Sequence, residues 1–213
     1  MKVGIINYGI GNIGSVTRAL GELHANTILI SRATDVKTVD RLILPGVGSF
    51  ADCARLLNEG GWVTAIQNEV LVTRKPLLGI CLGMQLLATT GTEGASKSSS
   101  KGIAGLGLIP GRVESLRNLG CKLRVPHVGW NEVNHTTSDT LFDGIPNGTD
   151  FYFVHSYAFV PDEPSNVLAT TVYDIPVTTA VRHGHIFGVQ FHPEKSSRAG
   201  FRLLKNFIAQ PAC

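Results

Sequence analysis

In the N-terminal part of the chain, short apolar runs alternate with segments of helical spacing. That alternation restricts the fold more than any other feature. Lys2 to Asn7 predicts a buried strand, and Ile13 to Leu23 predicts a helix with Val16, Ala19, Leu20 and Leu23 on one face. Asn26 to Ser31 predicts a second strand, and Arg41 to Leu44 a third, stopped by Pro45-Gly46. Ser49 to Leu57 and Val63 to Val72 predict helices. Pro76 to Ile80 predicts a short buried strand ending at Cys81, and Leu82 to Ala88 restarts as a helix. Strands separated by helices pair in parallel, and a parallel sheet needs both faces covered. The expected fold is therefore α/β, with a central, mostly parallel sheet flanked by helices.

Further on, the pattern changes. Gly91 to Gly102 is rich in Gly, Ser, Thr and Lys and predicts a loop. Leu106 to Val189 holds short strands with turn signals, which predicts extra antiparallel strands in the C-terminal half, and Arg198 to Ala209 predicts a closing helix. No internal repeat appears, and Ser98-Ser99-Ser100 is too short to link domains. A length of 213 residues then predicts one domain, 1–213.

Composition excludes several classes. Hydrophobic residues make up 43% and charged residues 16%, enough apolar material for a sizeable core. The longest apolar run falls well short of the roughly 18 residues a membrane span needs. The net charge is only +3 and no block of five Lys or Arg occurs, which argues against nucleic acid as a partner. Met1-Lys2 runs straight into the first strand, so no signal segment is expected. Cys53, Cys81, Cys121 and Cys213 form no C-x-x-C pair, which suggests neither a disulfide framework nor a zinc site. A reducing, cytoplasmic setting is expected, in which one reactive cysteine is worth seeking.

Gly9-Ile10-Gly11-Asn12-Ile13-Gly14 spells G-x-G-x-x-G between a strand and a helix. A dinucleotide site wants its first glycine flush with the strand end and an acid about 20 residues on, at the end of the second strand. Here Asn7 and Tyr8 intervene, and Asp35 lies beyond Ser31-Arg32. A cofactor cradle and a flexible strand-to-helix loop both remain open.

Gly79-Ile80-Cys81-Leu82-Gly83 is G-x-C-x-G between a strand and a helix, the cysteine counterpart of G-x-S-x-G. A sharp turn there lifts the side chain off the sheet, and the flanking glycines are expected to permit the turn. The thiol would sit at a helix N-terminus, where the dipole favours the thiolate. The Leu82 N–H would face an oxyanion. The alternative is a buried structural cysteine.

A thiolate that releases an amine needs an acid and base. Val189-Gln190-Phe191-His192-Pro193-Glu194 delivers His192 at the end of an apolar strand. If Pro193 keeps the backbone extended, Glu194 lies on the same side as His192 and fixes its tautomer. His155 is the rival base but lacks an acid neighbour, which favours a binding or core role. His183 and His185 have no Cys, Asp or Glu at ligand spacing, so no metal is expected. The Leu44 to Phe50 junction, with Gly46, Val47 and Gly48, can expose backbone N–H groups to an anion or simply form a turn capped by Ser49.

Three segments together, Leu44 to Phe50, Gly79 to Gln85 and Val189 to Lys195, resemble the motifs of class I (triad) glutamine amidotransferases. Asn7 to Asn12 and Pro126 to Asn131 further resemble the glutaminase subunits of imidazole glycerol phosphate synthases. The resemblance spans essentially the whole chain and implies a flavodoxin-like fold. It implies that Cys81 attacks the side-chain amide of L-glutamine, that His192 held by Glu194 moves the protons, and that no cofactor is required. It implies an oxyanion site at Leu82 and Gly46-Val47-Gly48, the loop rearranging to reach it. Gln85, Glu93 and His155-Ser156-Tyr157 would hold the glutamine, with Glu93 meeting its α-ammonium. The implied partner is a (β/α)₈-barrel cyclase, bound as a heterodimer, that uses the ammonia to form imidazole glycerol phosphate and AICAR in histidine biosynthesis. Asn12, Trp130, Tyr152 and Lys195 match positions near that interface.

Three other functions compete. One is a glutaminase serving another acceptor, such as pyridoxal phosphate synthase. Another is a non-catalytic regulatory module on the same fold, against which the intact Cys81, His192 and Glu194 set weighs. The third is a nucleotide-binding oxidoreductase built on the Gly9 loop, which leaves that set unexplained.

Overall fold

A computed structural model describes residues 1–95, 102–135 and 139–211. Cys213 and residues 96–101 of the loop expected over Gly91 to Gly102, including Ser98-Ser99-Ser100, lie outside the described residues.

The first strands are β1 (Lys2–Ile6), β2 (Asn26–Ile30), β3 (Arg41–Gly46) and β4 (Leu77–Cys81). Short strands follow at β5 (Thr90–Gly91), β6 (Ile103–Ala104) and β7 (Gly111–Ser115). The C-terminal half adds β8 (His127–His135), β9 (Thr149–His155), β10 (Tyr157–Pro161), β11 (Val167–Tyr173), β12 (Ile175–His183) and β13 (Ile186–Val189). The helices are α1 (Ile13–Glu22), α2 (Phe50–Glu59), α3 (Trp62–Gln67), α4 (Leu82–Gln85) and α5 (Ser197–Ile208).

Among the described residues, the main sheet has nine strands in the order β2-β1-β3-β4-β13-β12-β11-β8-β9, and β10-β7-β5-β6 form a second sheet. Strands β2, β1, β3, β4 and β13 run parallel, whereas β12, β11, β8 and β9 continue the sheet antiparallel. Helices cover both faces of the parallel part. On one face, Val16 and Leu20 of α1 and Leu203, Leu204 and Phe207 of α5 pack with Val3, Ile5, Ile43 and Leu78. On the other, Phe50 and Leu57 of α2 and Trp62 and Ile66 of α3 pack with Ile6, Leu42, Leu44 and Leu77. Leu42, Ile43 and Leu44 thus alternate between two cores, which explains why β3 is apolar throughout.

Several elements differ from expectation. β3 does not stop before Pro45-Gly46 but runs through them, pairing Pro45 with Ile80 and Gly46 with Cys81 of β4. Its pairing with β1 has already ended at Ile43, so the missing Pro45 N–H leaves no gap on that side. The helix expected over Val63 to Val72 divides into α3 and a wider π turn, Asn68–Val72. The helix expected over Leu82 to Ala88 is only α4, a single turn. Pro193 does not keep its segment extended, because Pro193–Lys195 forms a 3₁₀ turn. A 3₁₀ segment at Ala33–Thr38 gave no periodic signal, being too short for an apolar repeat.

Candidate active site

The site lies where the parallel strands end. Cys81 is the last residue of β4 and has φ 55° and ψ −114°. A residue with a Cβ is strained there. The flanking glycines have another task than the expected one, since neither carries the positive φ of the turn. A Cβ at Gly79 would lie 2.5 Å from the Gly83 oxygen, and one at Gly83 would collide with the Leu44 carbonyl. They let α4 fold back tightly onto β4 and β3, which drives the strain into Cys81 itself. Because α4 is one turn long, the dipole expected to favour the thiolate is short.

β13 lies beside β4, with Val189 opposite Ile80, and the chain beyond it brings His192 to the cysteine. His192 Nδ1 donates to Glu194 Oε1 at 2.7 Å. The contact expected from an extended strand is therefore made, but by the 3₁₀ turn at Pro193–Lys195. Nδ1 is committed to Glu194, so Nε2 is the nitrogen left for the sulfur. Nε2 makes no hydrogen bond of ordinary geometry, although the sulfur sits close enough to act on the ring. Burial pulls the imidazolium down. The Cys81 sulfur and the Glu194 carboxylate more than offset it and raise the His192 pKa to about 9. Burial likewise pushes Glu194 up, and the His192 hydrogen bond and charge, with the Asn12 amide, bring it below the usual carboxylate range.

Asn12 precedes α1 in the position of an N-cap, but its side chain makes no capping bond. Its Nδ2 instead donates to Glu194 Oε1 at 2.8 Å. The residue expected near an interface thus reaches the buried acid behind His192. In the same loop Gly9 and Gly11 have positive φ, whereas a Cβ on Gly14 would meet nothing. The third glycine of a dinucleotide fingerprint serves close helix–strand packing, and here none exists. Asp35 pairs with Arg32 at 2.9 Å instead of waiting for a ribose.

A cavity of about 300 Å³ opens onto the sulfur, small enough to suit an amino-acid-sized ligand. Cys81, His192, Leu82, Val47, Gly48, Gln85, Glu93 and His155-Ser156-Tyr157 line it, together with Pro126 and Val154. Gly46 does not. It sits under the turn, where a Cβ would lie 2.7 Å from the Gly83 nitrogen. Ser49 caps α2, accepting from the Asp52 N–H at 3.2 Å, and the Val47 carbonyl accepts from the Cys53 thiol at 3.4 Å. Glu93 Oε2 accepts from the Phe50 N–H at 2.8 Å, and burial raises its pKa. Burial holds His155 down at about 4, so it is neutral near pH 7, and its Nδ1 donates to the Tyr157 carbonyl at 2.8 Å. His127 Nδ1 lies 3.0 Å from His155 Nε2, behind the cavity. Among the described residues, no group of three His, Cys, Asp or Glu could hold a metal ion.

Gln190 was not among the expected site residues. It is fully buried, and its Nε2 lies 3.8 Å from Cys81 Sγ. A polar residue two places before His192 in an otherwise apolar run was the available signal.

Trp130 and Tyr152 lie outside the cavity, paired across β8 and β9 with ring centroids 5.9 Å apart. Lys195 Nζ is 5.7 Å from the Tyr152 ring. Val128 pairs with Val154 on the same outward face, and Val128 and Trp130 are 56% and 52% exposed. The Val154 carbonyl is 3.9 Å from Cys81 Sγ, so this apolar ribbon adjoins the cavity.

Comparison with known proteins gives the family. The family model described as glutamine amidotransferase class-I matches residues 4–210. The imidazole glycerol phosphate synthase subunit HisH of Moorella thermoacetica is 47% identical over 205 residues, covering 96% of this chain and 93% of the relative. The HisH subunit of Pelagibacter ubique is 41% identical over 212 residues, covering 98% and 99%. Among solved structures, a glutamine amidotransferase superposes with a TM-score of 0.73 at 22% identity, covering 97% of this chain and 96% of that one. PurLQS from Thermotoga maritima gives a TM-score of 0.74 at 18% identity, covering 97% of each chain, a likeness of fold alone.

Proposed function

This chain belongs to the class I glutamine amidotransferase family, and from that premise we propose that it is the glutaminase subunit of an imidazole glycerol phosphate synthase. It hydrolyses L-glutamine to glutamate and ammonia and works with a cyclase that consumes the ammonia. The meeting of the strained Cys81 with the His192–Glu194 pair at one amino-acid-sized cavity carries the reading.

The geometry supports the following roles. The Cys81 thiolate attacks the side-chain amide carbon of glutamine. As that C–N bond breaks, His192 gives its Nε2 proton to the departing nitrogen, which leaves as ammonia. A water then attacks the thioester, His192 takes its proton, and the thiolate departs as glutamate forms. Glu194 holds the imidazole in orientation, and Asn12 holds Glu194. The Leu82 N–H, with the Gly46-Val47-Gly48 loop once rearranged, receives the oxyanion. Gln85 Oε1, buried and unpartnered at the cavity wall, accepts from the substrate, and Glu93 and the His155-Ser156-Tyr157 segment complete its seat.

The match over residues 4–210 supports a single glutaminase domain across 1–213. The exposed ribbon bearing Trp130 and Tyr152, beside Lys195, supports docking of a (β/α)₈ cyclase as a heterodimer over the mouth from which ammonia leaves. Free ammonia would protonate in bulk water, so a sheltered passage serves the coupling. The reducing setting expected from cysteine usage, and with it a cytoplasmic location, belongs to the same reading.

The deciding experiment compares nitrogen sources in the assembled enzyme. Cys81→Ala should abolish glutamine-dependent formation of imidazole glycerol phosphate and leave ammonia-dependent formation in place. Persisting glutamine-dependent turnover would remove Cys81 from the mechanism. If the cyclase neither binds nor stimulates the wild-type chain, the acceptor assignment fails while the glutaminase class stands.

A further inference from the structure

Two buried amides stand behind the nucleophile, and their orientation can be deduced. Shape alone does not tell the nitrogen of a carboxamide from its oxygen; the hydrogen-bond network does. The starting point is the Tyr157 carbonyl, which only accepts. Gln85 lies 3.0 Å from it, so the Gln85 atom there is Nε2. That nitrogen has a second hydrogen, directed 2.9 Å away at Gln190, so the Gln190 atom there is Oε1. The other end of the Gln190 amide, Nε2, then faces Cys81 Sγ at 3.8 Å. No alternative rotation of either amide preserves the chain of bonds.

Gln190 is fully buried and Gln85 is 3% exposed, so water does not compete for these groups. The Gln190 main chain is also pinned, its N–H donating to the Thr179 carbonyl at 2.8 Å. A buried N–H aimed at a sulfur favours the anionic form of that sulfur, because the donor bonds to it more strongly when it is charged. With α4 only one turn long, the thiolate needs such a donor more than a longer helix would require. Gln190 and His192, two residues apart, bring side-chain nitrogens to the sulfur from one segment.

We propose that Gln190 is a direct hydrogen-bond donor to the Cys81 thiolate, aimed by Gln85 and the Tyr157 carbonyl. The inference rests on Cys81 being the nucleophile and extends that assignment to what holds its charge.

The test reads the thiolate without using glutamine. Iodoacetamide alkylation is followed against pH in the full chain, and modification at Cys81 is quantified by peptide mass spectrometry. Gln190→Glu keeps the size and the acceptor for Gln85 but turns an oxygen toward the sulfur. Its alkylation midpoint should move up by about one pH unit, cutting the rate below the midpoint about tenfold. Gln190→Met removes the donor without adding charge and should shift the midpoint the same way by less. Unshifted midpoints in folded variants would overturn the proposal. If neither variant folds, the wild-type Gln190 side-chain amide protons decide it by NMR. They should move with the Cys81 titration, and signals that stay put would refute the contact. An assembled wild-type enzyme whose Cys81 alkylates normally but which hydrolyses no glutamine would sink the glutaminase assignment and leave Gln190 untouched.

Discussion

Cys81 bears a conformational cost that its own side chain creates. At φ 55° and ψ −114° a Cβ is disfavoured, whichever atom follows it. Cys81→Gly should therefore be more stable than Cys81→Ala by about 1 kcal/mol, read from urea midpoints, because only the first removes the Cβ. Equal midpoints would show that the turn is unstrained. The titrations of the two cavity histidines run in opposite directions. His192, raised from 6.5 to about 9, adds stability in full below pH 6.5 and loses it as pH rises through 9. His155, lowered from 6.5 to about 4 by burial, costs no stability above pH 6.5 and costs progressively more as pH falls from there through 4. Histidine NMR should find His155 neutral down to about pH 4 and His192 protonated up to about pH 9. Glu194→Gln should bring the His192 midpoint back toward 6.5 and slow glutamine hydrolysis near neutral pH. A His192 midpoint unmoved by that change would remove the carboxylate as its support.

The turn between β4 and α4 depends on close backbone approach. A Cβ at Gly83 would strike the Leu44 carbonyl, and β3 and β4 cannot part without opening the sheet. Gly83→Ala should cost roughly 3 kcal/mol, measured as a lowered denaturation midpoint. A wild-type midpoint would mean that the turn can widen. This element also marks the limit of what the sequence reveals. Glycines around a cysteine announce a turn, and local pattern was enough to find it. Which of the residues takes the positive φ depends on how near β3 lies, and that proximity is tertiary. The same limit explains the His192–Glu194 pair. Two residues apart can meet in a strand or across a 3₁₀ turn, so the contact was legible while its geometry was not. Gln190 escaped notice because its partners, Gln85 and Cys81, lie 105 and 109 residues away in sequence. Asn12 was expected only near an interface, and the packed fold alone reveals that its amide serves Glu194, 182 residues further on.

Across the whole molecule, the antiparallel half of the main sheet presents its outward face beside the cavity. Trp130 and Tyr152 stand across from each other there, with Val128 opposite Val154 and two acids, Glu132 and Asp150, directly paired at the next position. Like charges opposite each other are unfavourable in an isolated sheet, and a basic partner relieves them. Trp130→Ala should leave the fold intact and weaken cyclase binding at least tenfold by calorimetry. Undiminished affinity would move the interface elsewhere. One further consequence follows from the strand order. β13, the last strand among the described residues, lies in the interior of the sheet between β4 and β12. A growing polypeptide therefore carries the Cys81 thiol out of the ribosome long before it carries Gln190, His192 or Glu194. Until those residues emerge and β13 closes against β4, the base proposed for that thiol is absent, and the glutaminase chemistry proposed for the pair has to wait.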